Sequence, residues 1–350
     1  MASFKKIENL YVWGIKGVIF LMPLIPLYVT PSIVFPYITG KNFAFRVLVE
    51  FAAALWLGLI STNKKYRLRS SPITLSILFF TFIVGLADLF GVNPYKSFWS
   101  NYERMEGYIT ILHLALYFMI VASVCRAKRD WQIIFNICVV VSVLVSAYAL
   151  ITPQLTVQTS RLAWEYGTRI SGTIGNPPFL ASYLLLSVFL CFILIINTHN
   201  LYIKFLYLLP IMIHAITIYV SASRGAILAA VLGVIILGLF YLLRKSGGSK
   251  EKLIKKAVLS GIVILFILSA VLALRDTHLI RHDITLSRFA NIFSDASVQT
   301  RFRAWKFAWA GFKERPVLGW GQENFIGVYT ARPIPLTEGQ IWVDRAHNIV

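Results

Sequence analysis

Charge is scarce in this chain, and negative charge is scarcest. Only 14% of its 350 residues are charged, and Asp and Glu together number 15. Soluble domains usually carry about 25% charged residues. With 57% hydrophobic residues and a mean hydropathy of +0.70, a water-soluble fold could not hide the apolar surface, which excludes the ordinary soluble enzyme classes. Cysteine is nearly missing. Cys125, Cys138 and Cys191 lie in or beside apolar segments, with spacing that suits neither a metal site nor a disulfide framework. His113, His199, His214, His278 and His282 are scattered without zinc-ligand spacing. There is no repeat of fixed period and no low-complexity tract.

What is present is a series of apolar runs of membrane-crossing length. They predict about nine transmembrane helices, near 12–38, 43–60, 72–90, 107–125, 131–151, 178–197, 202–220, 225–243 and 257–274. The first follows Lys5 and Lys6 with no small-residue cleavage site, and so reads as a retained anchor. The expected fold is an all-α polytopic membrane protein. Residues 1–274 form its membrane domain, and 275–350 form a long, partly helical outer loop leading into a further span. The chain stops at His347-Asn348-Ile349-Val350, where a new apolar run begins, and reads as truncated there.

Positive charge is plentiful: 34 Lys and Arg, for a formal +19. With a cytoplasmic N-terminus, the inner connections hold Lys64, Lys65, Arg67 and Arg69, then Arg126, Lys128 and Arg129, then Arg244, Lys245 and four lysines up to Lys256. The short outer connections hold far fewer, as the positive-inside rule requires. The region from Arg275 onward carries ten basic residues that this rule leaves unexplained, because long loops cross regardless of charge. A soluble protein with this surplus would suggest nucleic acid; here no nucleic-acid partner is expected.

Four outer-face places could use that charge. Ser223 is a natural N-cap, which sets Arg224 in the first helical turn, unfavourable for a cation on dipole grounds. An anion docked there would resolve this; snorkelling to headgroups is the alternative. In the helical stretch from Thr300 to Phe312, Arg301 shares a face with Trp305, Ala308 and Phe312, with Arg303 and Lys306 opposite. Its partner is either a local carboxylate such as Asp295 or a ligand phosphate. His347 is the natural general base, with Asp344 three residues earlier able to orient it; a polar interface residue is the plainer reading. Arg169 opens a loop rich in Gly and Pro, in which Asn176 either contacts sugar hydroxyls or performs turn chemistry. The loop Asn101–Gly107 carries acids and bases that can pair with each other, and no chemistry is assigned to it. Arg46 and Glu50, four residues apart, are expected to pair at the membrane edge.

Taken in order, these motifs resemble the O-antigen ligase and O-antigen polymerase family of bacterial lipid-linked glycan transferases. The resemblance runs through Asn101–Gly107, Gly172–Pro177, Ser223-Arg224-Gly225, the stretch from Thr300 to Gly321 with its Pro316-Val-Leu-Gly-Trp320-Gly321 ending, and Ala346-His347-Asn348. It implies a GT-C-like multi-helix fold in the bacterial inner membrane, with its active site on the periplasmic face. The donor would be an undecaprenyl diphosphate-linked glycan and the acceptor lipid A core, another glycan or a protein. Arg224 and Arg301 would hold the diphosphate and His347 would activate the acceptor hydroxyl. Arg169, Asn176, Ser223 and Asp344 would support them. No metal or other cofactor is expected, and inversion at the anomeric carbon follows from direct attack. A lipid-glycan transporter or flippase is the alternative from another class; it should bury ionisable groups near the midplane of its spans.

Overall fold

The computed structural model describes residues 2–156, 169–245, 284–290 and 296–330, and Arg345. Among these residues every regular element is helical. The apolar runs dictate this, because a helix satisfies its backbone groups internally where no water can. The first helices are α1 (Ala2–Leu21), α2 (Thr39–Thr62), α3 (Pro72–Leu89), the short α4 (Pro94–Trp99), α5 (Tyr108–Val124) and α6 (Lys128–Thr156). They are followed by α7 (Pro177–Asn197), α8 (Leu201–Val220), α9 (Arg224–Lys245), α10 (Ile284–Ala290), α11 (Ala296–Glu314) and α12 (Phe325–Thr330).

Helix starts follow sequence-level rules. The Ser71 hydroxyl accepts from the Thr74 amide at 3.1 Å, ahead of Pro72. Asn93 caps α4 through Lys96 at 3.0 Å, ahead of Pro94, and Asn200 caps α8 through Tyr202 at 2.9 Å. In each case a side-chain oxygen takes an orphan amide of the first turn, and proline stands where no donor is needed.

Six segments are long and apolar enough to cross a membrane: Lys5–Leu27, Thr39–Thr62, Pro72–Leu89, Lys128–Thr152, Pro177–Asn197 and Leu201–Val220. Tyr108–Val124 and Arg224–Gly233 are apolar but shorter. The chain is thus a multi-pass helical membrane protein, with six qualifying spans among the described residues where about nine are expected. The ninth expected span, 257–274, lies outside the described residues. The first differs in extent. Regular helix ends at Leu21, a 3₁₀ turn follows over Met22–Leu27, and the backbone is extended at Tyr28. Pro23 and Pro26 each lack the amide a continuing helix requires, so this span stops well short of residue 38.

The chain divides into two compact units, Met1–Cys138 with Ala296–Val350, and Val139–Asp295. In the first, Ile15, Ile19, Val49, Leu59 and Ile120 form a core of fully buried side chains from α1, α2 and α5. An ion pair of 2.7 Å from Lys16 to Asp130 ties α1 to the start of α6. In the second, α7 packs along α8. His214 of α8 is fully buried, with its two ring nitrogens 2.9 Å from the Ser142 hydroxyl and 3.0 Å from that of Ser146. These serines lie one turn apart on α6, so one imidazole fixes the rotation of α6 against α8.

Candidate functional site

The second unit builds a turn around Arg224. Between α8 and α9 the backbone passes through Ser221, Ala222 and Ser223, all buried. Ala222 adopts φ 50°, a left-handed conformation that costs a residue with a Cβ about 1–3 kcal/mol and survives only where its surroundings impose it. Those surroundings are visible. Arg169 Nε donates to the Ser221 carbonyl at 2.9 Å, and its Nη2 donates to the Ser223 hydroxyl at 3.0 Å. From the other direction the buried Thr285 of α10 donates to the Tyr219 carbonyl at 2.8 Å. The turn therefore delivers Arg224, half-buried, as the first residue of α9, with no acid in that helix's first turn. This brings together three residues expected to act together: Arg169, Ser223 and Arg224.

The loop behind Arg169 is irregular, as its composition requires. Gly172 has φ 53°, and a Cβ there would lie 2.8 Å from that of Ala149, so both conformation and space demand glycine. Asn176 is exposed, and its carbonyl accepts from Leu180 at 2.9 Å as α7 begins. It ends a turn and begins a helix; nothing else in the described contacts engages it.

The first unit joins two distant loops. At the end of α3, the Asp88 carboxylate accepts from the Gln322 amide at 2.6 Å, and the Trp320 carbonyl accepts from Val92 at 3.1 Å. Ser97 of α4 donates to the Gln322 carbonyl at 2.8 Å and accepts from the Asn324 side chain at 2.9 Å. A Cβ on Gly91 would lie 2.8 Å from the Trp320 carbonyl, so two backbones meet at van der Waals range. The Trp320 indole donates to the Gly311 carbonyl at 3.0 Å, while the Arg315 guanidinium stacks 4.9 Å from the Trp320 ring centroid. The Pro316–Gly321 motif is thus a clasp between α11 and the end of a membrane span.

The Asn101–Gly107 loop is held as firmly. Thr39 and Asn42 of α2 donate to the carbonyls of Tyr102 and Arg104, both at 3.1 Å. Arg46 makes no direct ion pair with Glu50, whose charge acts on it only through space. It is buried and donates to the Met105 carbonyl at 2.8 Å and the Thr110 hydroxyl at 2.7 Å. Glu50 meets the His113 ring at 3.1 Å instead. A guanidinium at that depth needs oxygen acceptors; the loop supplies one at Met105 and the first turn of α5 supplies the other at Thr110. Arg345 then bonds Glu106 of this loop and Glu323 of the clasp together.

Arg301 falls on the face that the helical wheel gives it, beside Trp305 and Phe312, and that face is the open one. The buried side of α11 is made of Ala304 and Gly311, and Arg301, Trp305 and Phe312 are exposed. The reason is packing distance: a Cβ on Gly311 would lie 2.5 Å from Val328 of α12, so small residues form this contact and large ones cannot. His347 and Asp344, and the Asp295 offered as a partner for Arg301, lie outside the described residues. Among the described residues no group of three or more His, Cys, Asp and Glu side chains is placed to hold a metal ion.

Sequence reasoning missed Asp88, Ser97, Asn324 and Arg345. Asp88, a carboxylate near the end of an apolar run, was a readable signal. The others carry none, since a Ser in a short helix and an Asn or Arg in a loop are ordinary.

Residues 209–350 match the family model described as O-antigen ligase. No curated protein and no solved structure matches the chain.

Proposed function

We propose that this chain, whose residues 209–350 match the O-antigen ligase family model, is a membrane glycosyltransferase of ligase or polymerase type that moves a glycan from undecaprenyl diphosphate to an acceptor hydroxyl. The family match carries this reading, because its range includes Arg224, Arg301 and His347. In this reading Arg224 and Arg301 are the donor-phosphate ligands. Arg169 and Ser223 support the first of them by shaping its turn. Asn176 is a candidate sugar contact, and Asp344 orients His347.

The reaction needs few parts. The acceptor oxygen attacks the anomeric carbon as the bond from that carbon to the phosphate oxygen breaks, and the electron pair leaves with undecaprenyl diphosphate. His347 takes the acceptor's proton. Guanidiniums stabilise the negative charge that grows on the leaving diphosphate, a task that a divalent ion performs elsewhere. In-line displacement inverts the anomeric centre. Residues 1–274 serve as the membrane domain, with a ninth span at 257–274, and 275–350 as a periplasmic loop of an inner-membrane enzyme.

The test is transfer by the purified chain, extended to full length where the natural protein is longer. It is given an undecaprenyl diphosphate glycan and, separately, lipid A core, a second lipid-linked glycan or a pilin-like protein. Product with one acceptor identifies a ligase, a polymerase or a protein O-glycosyltransferase; no product with any acceptor refutes the reading. Transfer in EDTA is expected at the untreated rate, and loss restored by a divalent ion refutes the metal-free step. A transporter remains the second reading, favoured by one observation: His214 buried inside a membrane-spanning helix, as ionisable groups on transport paths are. Movement of the lipid-linked glycan across vesicles without transfer would select it.

A further inference from the structure

The side of α11 turned away from its packing contact carries an unusual set of residues. Phe302, Trp305, Trp309 and Phe312 are 61%, 40%, 61% and 50% exposed. At about 100° per residue they fall within one narrow stripe, separate from the Ala304–Gly311 side. The rings stand in two contacting pairs, Phe302 with Trp305 and Trp309 with Phe312, each with centroids 5.3 Å apart. Val317, just beyond the helix, is 88% exposed and prolongs the apolar surface.

Charge borders this stripe on both edges. Arg301 lies along one edge and Lys306 and Lys313 along the other, and Lys313 reaches over the Trp309 ring at 5.8 Å. The helix has no acid in its first turn, and its one acid, Glu314, is its last residue. Four contiguous aromatic side chains in water are costly. Aromatic rings with flanking Lys and Arg are the composition of a helix lying in the boundary between headgroups and acyl chains.

The position of α11 supplies the bilayer. Its last turns are tied through Trp320 to Gly311, and Trp320 is bonded to Val92, three residues after the membrane-crossing segment Pro72–Leu89 ends. The C-terminal half of α11 is thus anchored at the mouth of a span, where lipid headgroups lie.

We propose that α11 docks its Phe302–Trp305–Trp309–Phe312 stripe onto the surface of the surrounding bilayer, with Lys306 and Lys313 at its border on anionic phospholipid headgroups. The rings supply burial and orientation, and the bases select the headgroup charge. This proposal does not depend on glycan transfer.

The experiment uses the whole chain in proteoliposomes, without its three native cysteines, spin-labelled at Trp309→Cys or at Arg303→Cys on the far side. In vesicles containing phosphatidylglycerol, the label at 309 should lose collisions with a water-soluble nickel chelate and gain collisions with oxygen, while the label at 303 stays open to nickel. In pure phosphatidylcholine the shift at 309 should shrink. Equal nickel access at both positions overturns the docking. A label at 309 shielded from both reagents also overturns it, because protein then covers the stripe. An unchanged shift in phosphatidylcholine overturns the anionic preference. Both positions are exposed in the protein, so folding tolerates either label.

Discussion

Two arginines secure loops in this protein, one in each unit, and they are held by different chemistry. Arg345 is gripped by the carboxylates of Glu106 and Glu323. Arg169 reaches a carbonyl and a hydroxyl, at Ser221 and Ser223. The first grip is coulombic, so any cation of similar reach satisfies much of it. The second is directional: two nitrogens of one planar fork must meet two oxygens fixed by a strained turn. A lysine presents a single point charge and cannot do this. Equal residue types therefore tolerate change unequally, and the tolerance follows from their partners.

The largest effects should fall outside both anchors, on the chemistry they serve. His347→Ala and Arg301→Ala are each expected to lower transfer on the order of 10²-fold or more, the range of a lost general base or charge stabiliser. Membrane insertion should be intact. Rates near wild type in either would remove that residue from the mechanism. The anchors come next. Arg169→Lys should slow transfer about ten-fold, and Arg345→Lys should slow it less than about three-fold, because one lost hydrogen bond to an ordered acceptor counts for more than a rearranged ion pair. The reverse order would break the comparison.

Stability gives the third contrast. Asp88→Ala leaves the Gln322 amide without its acceptor and should cost about 1–3 kcal/mol, read as a lower midpoint in thermal unfolding in detergent. Asp88→Asn, which keeps an acceptor oxygen, should recover most of it. The smallest effect belongs to salt. At about 1 M the screening length falls to about 3 Å, so the rate ratio between wild type and Glu106→Gln should narrow by a factor of about two. The ratio between wild type and Ser223→Ala should stay constant, since that contact carries no carboxylate. Parallel changes in both ratios would mean that the two grips are not different in kind.

Much of the helical framework was legible because hydrophobic runs and caps are local. Ser71 with Pro72 and Asn93 with Pro94 announce where helices begin. The first span ran too far because its apolar residues continue past Leu27, while Pro23 and Pro26 end the regular helix earlier. The Arg169–Ser223–Arg224 grouping was partly legible, since a turn and an N-cap are sequence-local features. The partners of Arg46 and Arg345 were not. Spacing pairs Arg46 with Glu50, whereas the buried guanidinium donates to one carbonyl 59 residues away and one hydroxyl 64 residues away. Arg301 shares a face with Trp305 and Phe312 as the spacing predicts, but the core side of this helix is another one. Here small residues mark it and the aromatic ones face outward.

The clasp at Trp320 has a consequence for how the chain is made. Asp88 waits for an amide 234 residues later, Ser97 for a carbonyl 225 later, and Glu106 for a guanidinium 239 later. During synthesis α3, α4 and α5 are therefore inserted long before their loop can close. Throughout that interval Asp88 and Ser97 must be hydrated or shielded by something other than their final partners. Loop closure over such sequence separation is slow and comes late. The connection between α3 and α5 is among the first parts to leave the ribosome and among the last to be finished.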